Sequence, residues 1–412
     1  MSGFVESVVP ARWGAAFRWL LASAWVTNLG DGVAAAAGPL LVASLTSDAF
    51  LVSLAALLRW APPLVFGLWA GVLSDRWDRR RIVVVADGLR AVVLAALVAA
   101  LAGGVLSVAG ALVALGVLAS AEVFADNTVA TLTPMLVGRD DLVVANARLQ
   151  TGFITLNQLV GPPVGAVLFA VGRVWPFVAE TVLVVAGVLL VWRVVLPAPV
   201  RVGGSGGVGR DMVEGFRWTV RHAAVRTLAL TILVFNVTFG AAWSVLVLYA
   251  GRRLGLGAVG FGLLTTVSAV GGLVGTGVYG WLTRRVSLGN VMRAGLVIET
   301  LTHLVLAVTR SAWVASAVFF VFGAHAFVWG TTSITVRQRA VPEQLQGRVG
   351  SVNTVCTYGG LVVGSVVGGV LADRWGVAAP FWFAFVGSAV FLVLLWGELT
   401  RIAHADEAGA AV

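Results

Sequence analysis

An aspartate stands inside a long and mostly apolar stretch near the start of the chain. Asp31 belongs to the segment 28–32, in which glycines flank it on both sides. A carboxylate at bilayer depth costs about 2.5–3.5 kcal/mol on insertion scales, and this is tolerated where the group faces water or takes up a proton. Asp31 is therefore predicted to couple proton movement or contact a substrate. The alternative is a structural polar contact with a neighbouring helix.

A second group of charges lies at the ends of apolar stretches. Glu122 and Asp126 are four residues apart and so share one face of a helix. Arg76, Arg79 and Arg80 lie in a nearby loop and are their natural partners. We predict an ion-pair cluster that latches one conformation and breaks in another. The alternative is a solvated cluster that only sets orientation.

Two arginines also fall within apolar stretches. Arg90 follows Asp87 by three residues, and the two are predicted to pair with each other. Arg59 needs a partner or a wet cavity, and Asp31 is a candidate by depth. Asn236 occupies nearly the position in the second half of the chain that Asp31 holds in the first, so it could contact substrate without carrying charge.

The elements that position these residues follow from composition. Of 412 residues, 59% are hydrophobic and only 11% are charged, and the mean hydropathy is +0.96. So few charges could not cover a globular surface facing water, so the surroundings must be largely lipid. The apolar runs are long and do not alternate, which predicts membrane helices rather than a barrel. The 50 glycines fit, because small residues let such helices approach closely.

Twelve spans are predicted, six on each side of a break. The first half is 1–196, the break 197–226 is a cytoplasmic linker containing an amphipathic helix near 212–220, and the second half is 227–412. The predicted spans are 17–43, 49–73, 82–103, 105–126, 147–171, 174–196, 227–250, 258–282, 289–309, 312–335, 350–371 and 378–397.

The halves repeat one another, and the arginines orient them. Gly161 and Gly165 correspond to Gly364 and Gly368 at an offset of 203 residues. Repeated six-span halves are typical of transporters whose substrate site lies between them near the midplane. With both termini in the cytoplasm, 21 arginines fall inside and five outside, as the positive-inside rule favours. The pair 252–253 is the local exception.

Several motifs resemble those of the major facilitator superfamily. The loop 71–81 is similar to the signature G-x-x-x-D-R-x-G-R-R, with Asp78 at the usual glycine, and its matching residues are Gly71, Asp75, Arg76, Arg79 and Arg80. The fifth span resembles the antiporter signature G-P-x-x-G-G through Gly161, Pro162, Pro163 and Gly165, with Ala166 at the last position. The stretches 133–146 and 337–349 look like the enterobactin-exporter-like subgroup.

This resemblance implies an all-α fold of two pseudo-symmetric six-helix halves and a monomer. It implies that the loop, with Asp75, gates the cytoplasmic side, and that the proline segment is an antiporter-type kink. It also puts the third and sixth spans of each half at the periphery, so Glu180, Glu299 and His303 are expected to be structural. The alternative is that Glu299 and His303, which share a helix face, carry protons. His325 and the tryptophans Trp25, Trp243 and Trp329 are expected to line the cavity; interfacial anchoring is the alternative for each tryptophan.

Other function classes find little support in the sequence. There is no H-E-x-x-H, no G-x-S-x-G and, without any lysine, no Walker A motif, so no catalytic residue, metal or cofactor is expected. No loop is long enough for a receptor domain. The basic net charge is explained by membrane topology, so no nucleic-acid partner is expected. The hypothesis is a transporter of the bacterial plasma membrane that exports a small amphipathic compound in exchange for protons. The alternatives are an importer and, in another class, a receptor or scaffold.

Overall fold

The computed structural model describes residues 13–138, 141–194 and 208–399, and the described chain is helical with no strands. Its helices begin and end at short turns. They are α1 (Gly14–Leu45), α2 (Ala49–Arg76), α3 (Arg79–Ala102), α4 (Val108–Leu136), α5 (Leu142–Gly152), a π-helical segment (Phe153–Val160), α6 (Gly161–Val171), α7 (Trp175–Trp192), α8 (Val208–Arg221), α9 (Ala223–Trp243), α10 (Leu246–Arg252), α11 (Ala258–Thr283), α12 (Leu288–Val308), α13 (Ala312–Ala340), α14 (Gln346–Trp375) and α15 (Ala379–Leu395).

Within these ranges, 11 segments are long and apolar enough to cross a membrane. The fifth of them joins α5, the π-helical segment and α6 into Leu142–Val171. A twelfth apolar helix, Ala379–Leu395, has 17 residues. The predicted all-α membrane architecture of twelve helices in two halves is confirmed.

The chain divides into two compact units. The first unit contains Met1–Thr46, Val65–Gly204 and Phe261–Thr266, and the second contains Ser47–Leu64, Ser205–Gly260 and Val267–Val412. The first part of α2 therefore belongs to the second unit. There, Ser53 lies so close to Gly369 that a Cβ on that glycine would be 2.1 Å from the Ser53 hydroxyl.

In the first unit, α1 packs closely on the fifth span. A Cβ at Gly32 would lie 2.5 Å from the Asn157 carbonyl oxygen, and one at Gly165 would lie 2.2 Å from the Val33 carbonyl oxygen. Only glycine allows the two backbones to approach so closely. The residue after Asp31 is thus held against the π-helical segment.

The π-helical segment lies immediately before the predicted kink. Pro162 and Pro163 lack the N–H groups that would bond four residues back. The N–H of Gly161 instead donates to the carbonyl of Leu156, five residues back. The local change of pitch thus comes before the prolines, and π-bulges of this kind occur frequently at functional sites.

The second unit repeats this contact between α9 and α14. A Cβ at Gly364 would lie 2.3 Å from the Val237 carbonyl oxygen, and one at Gly368 would lie 2.1 Å from the Ala241 carbonyl oxygen. Gly360 approaches the Cβ of Asn236 in the same way. The correspondence of Gly161 and Gly165 with these glycines is therefore one of packing as well as sequence.

The part of the predicted linker before residue 208 lies outside the described residues, and its described part contains α8, which is anchored on α14. Glu214 on α8 pairs with Arg348 at 2.7 Å, and a Cβ at Gly215 would lie 2.4 Å from the Arg348 carbonyl oxygen. The exposed side of α8 carries Val213, Phe216 and Val220. An exposed apolar stripe of this kind suits the surface of a bilayer.

Two features of the loops explain irregularities in the sequence. Asp78 takes the N-cap position of α3, where its side chain accepts a hydrogen bond from the Arg81 N–H at 3.0 Å, so a glycine is not needed in that turn. Arg253 caps the C-terminus of α12 by donating to the carbonyls of Ala307, Val308 and Thr309. This capping gives a structural reason for Arg253, one of the two arginines that depart from the predicted distribution of arginines.

Candidate functional site

The first unit buries an arginine among carboxylates. Arg90 on α3 is only 2% exposed, and its guanidinium donates to Asp31 on α1 and, at 3.1 Å, to Asp87 one turn earlier on α3. The predicted Asp87–Arg90 pair is present. The partner of Asp31, however, is Arg90 and not Arg59, which is exposed and lies over the ring of Trp60 at 5.4 Å.

A third carboxylate comes from α7. Glu180 is 2% exposed, and its Oε1 lies 3.7 Å from the Nη2 of Arg90. It comes close to Asp31 because α1 and α7 pack on each other at Gly30, where a Cβ would lie 3.6 Å from the Cγ of Glu180. The second oxygen, Oε2, has no hydrogen-bond partner. Glu180, which is expected from the sequence to be structural, thus belongs to this buried cluster, and its role stays a prediction.

Two further carboxylates, on α4, contribute to the electrostatic surroundings of Arg90. Glu122 and Asp126 both interact electrostatically with Arg90, and each interacts with the other. Asp126 is exposed while Glu122 is half-buried. The predicted pairing of Glu122 and Asp126 with the loop arginines stays a prediction.

Two of the loop arginines have contacts that the structure describes. Arg79 approaches the sulfur of Met135 at 2.8 Å, and Arg80 donates to the Val194 carbonyl at 3.4 Å and lies over the ring of Trp192 at 5.2 Å. The side chains of Asp75 and Arg76 lie outside the described part of the chain. A gating role for this loop, including Gly71, therefore stays a prediction.

The arrangement has a chemical consequence. Three buried carboxylates lie within 4 Å of a single guanidinium, so full ionisation of these four groups would give them a net charge of −2. Uncompensated charge is expensive in a poorly solvated interior, and neighbouring like charges oppose ionisation of each other. Arginine stays charged under all ordinary conditions. The three carboxylates therefore share one countercharge, which Arg90 supplies.

The second unit holds a smaller titratable group. The Nε2 of His325 on α13 lies 3.8 Å from the Oε2 of Glu299 on α12. The histidine that lies closest to Glu299 is thus His325 on the neighbouring helix, and not His303, which shares a helix face with Glu299. His303 is fully buried, neither of its ring nitrogens has a hydrogen-bond partner, and its ring meets Trp243 edge-on.

The three predicted cavity tryptophans have different surroundings. Trp243 lies in an aromatic cluster with Phe239, Phe319 and Phe322, at centroid distances of 4.3–5.3 Å. Trp25 donates its indole N–H to the Arg148 carbonyl at 3.1 Å, which ties α1 to α5. The indole N–H of Trp329 is buried without a partner.

The side chain of Asn236 forms a hydrogen bond within its own helix, in which its amide donates to the Ile232 carbonyl at 2.7 Å. Among the described hydrogen bonds, none joins the side chain of Asn236 to an arginine. Within the described ranges, no three His, Cys, Asp or Glu residues are arranged to hold a metal ion. The two units therefore share their packing but not their charged groups.

The sequence contains a signal for the Arg90 cluster in the depth of its charged residues. A charge within a membrane helix almost always pairs with another charge at similar depth. Arg90 is such a charge, and Asp31 and Glu180 are acids within other spans. Pairing intramembrane charges across helices, rather than only within one helix, would have found the set.

Comparisons with known proteins agree with this architecture. Residues 7–411 match a family model described as "Transmembrane secretion effector". The chain is 28% identical over 383 residues to the multidrug efflux pump Tap of Mycolicibacterium fortuitum, covering 88% of this chain and 90% of that protein. It is 26% identical over 397 residues to the enterobactin exporter EntS of Salmonella typhimurium, covering 94% and 93%.

Solved structures show the same fold at low identity. A bacterial homologue of the iron transporter ferroportin in an inward-facing state has a TM-score of 0.75 and 15% identity, covering 94% of this chain and 98% of that one. A mutant of the nucleoside transporter NupG has a TM-score of 0.74 and 12% identity, covering 94% and 99%.

Proposed function

This chain belongs to the transmembrane secretion effector family of the major facilitator superfamily, and on that premise we propose that it exports a small, amphipathic compound in exchange for protons. It is a multi-pass membrane transporter rather than an enzyme. The driving ion, the direction and the kind of substrate are the parts that we propose.

The observation that carries proton coupling is the Arg90 cluster. Asp31, Asp87 and Glu180 all have an oxygen within 4 Å of the guanidinium, and each is less than a tenth exposed. A proton added to Asp31 would remove its charge and weaken its bond to Arg90, whereas the bond to Asp87 would remain. Arg90 would then act as a fixed positive group that competes with protons for the same carboxylates.

Protonation at Asp31 is coupled to movement through the next residue in the chain. Gly32 packs on the π-helical segment at Asn157 and Gly161, so a small rotation of α1 must be accommodated there. Gly161, Pro162, Pro163 and Gly165 would serve as the antiporter-type kink because prolines have already removed backbone bonds from this part of the helix. Alternating access would follow as the two units change their relation to each other.

Export is supported by the relatives, whose names describe efflux of drugs and export of enterobactin. The distribution of arginines supports a location of both termini in the cytoplasm. The aromatic cluster around Trp243 suits a compound with a bulky apolar part. A drug, a siderophore or another secondary metabolite would fit this description.

The test is accumulation of fluorescent amphipathic compounds and of siderophores in bacteria that lack their own exporters. We expect the chain to lower accumulation, and we expect a protonophore or Asp31→Asn to abolish the effect. Asp373→Asn is the matched control, because Asp373 is an exposed aspartate at the end of α14. It should export like the unchanged protein.

The other outcomes separate the alternatives. Export that survives both the protonophore and Asp31→Asn would refute proton coupling through Asp31. Raised accumulation would make the chain an importer. No effect with any compound, in cells that contain the protein in their membrane, would favour a receptor or scaffold.

A further inference from the structure

The second unit contains a groove that the Arg90 cluster does not use. It has a volume of about 350 Å³ and lies between α11, α12 and α13. Its walls are apolar, and the polar side chains among its lining residues are those of Asn290 and His325. No lining residue carries a carboxylate, an arginine or a lysine. The size falls in the range of small-molecule pockets, about 300–1,000 Å³.

Small residues create this space. A Cβ at Gly275 would lie 2.3 Å from the Ala324 carbonyl oxygen, so α11 and α13 touch along their backbones. Ala294 and Gly295 present almost no side chain from α12. The rim of the groove includes Val278, which is 43% exposed and lies on a membrane-spanning helix. The rim is therefore apolar at this point. A groove with such a rim is accessible to molecules dissolved in the bilayer.

His325 gives the groove a polar end. It is 7% exposed, and neither ring nitrogen has a hydrogen-bond partner. Its Nε2 faces Glu299 at 3.8 Å, whereas its Nδ1 lies 3.1 Å from where a Cβ on Gly295 would be, on the side of the groove. A carboxylate beside one ring nitrogen favours the proton on that nitrogen. Nδ1 is then left as the acceptor nitrogen. It is buried beside Gly295, a lining residue of the groove, so a bound hydroxyl would reach it when the imidazole ring turns toward the groove.

We propose that this groove binds a neutral apolar molecule carrying a hydroxyl group, an alcohol or a phenol, which arrives from the bilayer and donates its hydrogen bond to His325. The apolar part lies along the walls beside Val278 and Ala294. An anion would find no cationic side chain there, and a cation would find no carboxylate in the lining. Binding in this groove does not require proton coupling, so it stands or falls separately from export.

The test compares 4-octylphenol with its methyl ether, which has the same body but cannot donate a hydrogen bond. Binding of each labelled compound is measured with the full chain in phospholipid nanodiscs. We expect the phenol to bind about threefold to tenfold more tightly, the effect of one net hydrogen bond. His325→Phe should abolish the difference while the ether binds as before, which also shows that this variant is folded.

A second variant tests the location. Ala294→Phe places a ring in the groove and should weaken both compounds at least tenfold. Ala96→Phe, at an exposed position on α3, is the matched control and should change neither. If Ala294→Phe does not assemble, Val278→Trp fills the groove from its exposed rim. Equal binding of phenol and ether to the unchanged protein, displacement of the phenol by octanoate as effectively as by unlabelled phenol, or unchanged binding in the filled variants would overturn the proposal.

Discussion

Removing the buried guanidinium is the sharpest test of the Arg90 cluster. In Arg90→Leu, three carboxylates that now lie within 4 Å of the guanidinium would lose their countercharge: Asp31, Asp87 and Glu180. Breaking a buried ion pair by deleting one partner costs about 3–5 kcal/mol, because the remaining charge stays buried. For a helical unit of roughly this size, such a loss lowers the melting temperature by on the order of 10 °C.

A second substitution should recover part of this loss. Asp31→Asn on the Arg90→Leu background removes one of the uncompensated charges. The double variant should therefore lose less free energy of unfolding than the two single variants lose together. Residues in one ion-pair network show interaction energies of about 0.5–3 kcal/mol. Asp31→Asn alone leaves Arg90 with Asp87 and Glu180, so it should lower the melting temperature less than Arg90→Leu does.

Thermal unfolding followed by circular dichroism at 222 nm is the assay, because both units are helical. Arg173→Leu is the control, since Arg173 is an exposed arginine in the loop between α6 and α7 of the same unit. The reasoning about the cluster would be refuted if Arg90→Leu melted like the control, or if the Asp31 and Arg90 substitutions were simply additive.

Two further predictions concern packing and capping. Gly165→Ala should destabilise the protein by about 1–3 kcal/mol, because its Cβ would lie 2.2 Å from the Val33 carbonyl oxygen; Gly67→Ala, with nothing within 4 Å, should not, and equal melting of the two variants would contradict the proposed contact. Arg253→Ala should cost about 1.5–3 kcal/mol because it removes the charged donor that caps α12, whereas exposed Arg310→Ala should cost little; both are read from the same thermal melts.

The sequence by itself was enough for the class of protein and its organisation. A span depends on local composition and length, so twelve membrane helices could be read from apolar runs. The repeat could be recognised from the sequence because Gly161 and Gly165 have counterparts in Gly364 and Gly368. Close packing of helices requires small residues at regular intervals, so these glycines recur in both halves. Motifs were sufficient for the superfamily, since their residues are contiguous in the chain.

The partners of the buried charges were decided only by the tertiary structure. Asp31 and Arg90 are 59 residues apart, and whether they meet depends on how α1 and α3 are rotated and how α7 packs against them. A rotation of one helix by a few tens of degrees would exchange Arg90 for another partner without changing hydropathy. The same holds for Glu299, which meets His325 on a neighbouring helix rather than His303 on its own. Side-chain direction across helices is a property of the packed bundle, and no single span encodes it.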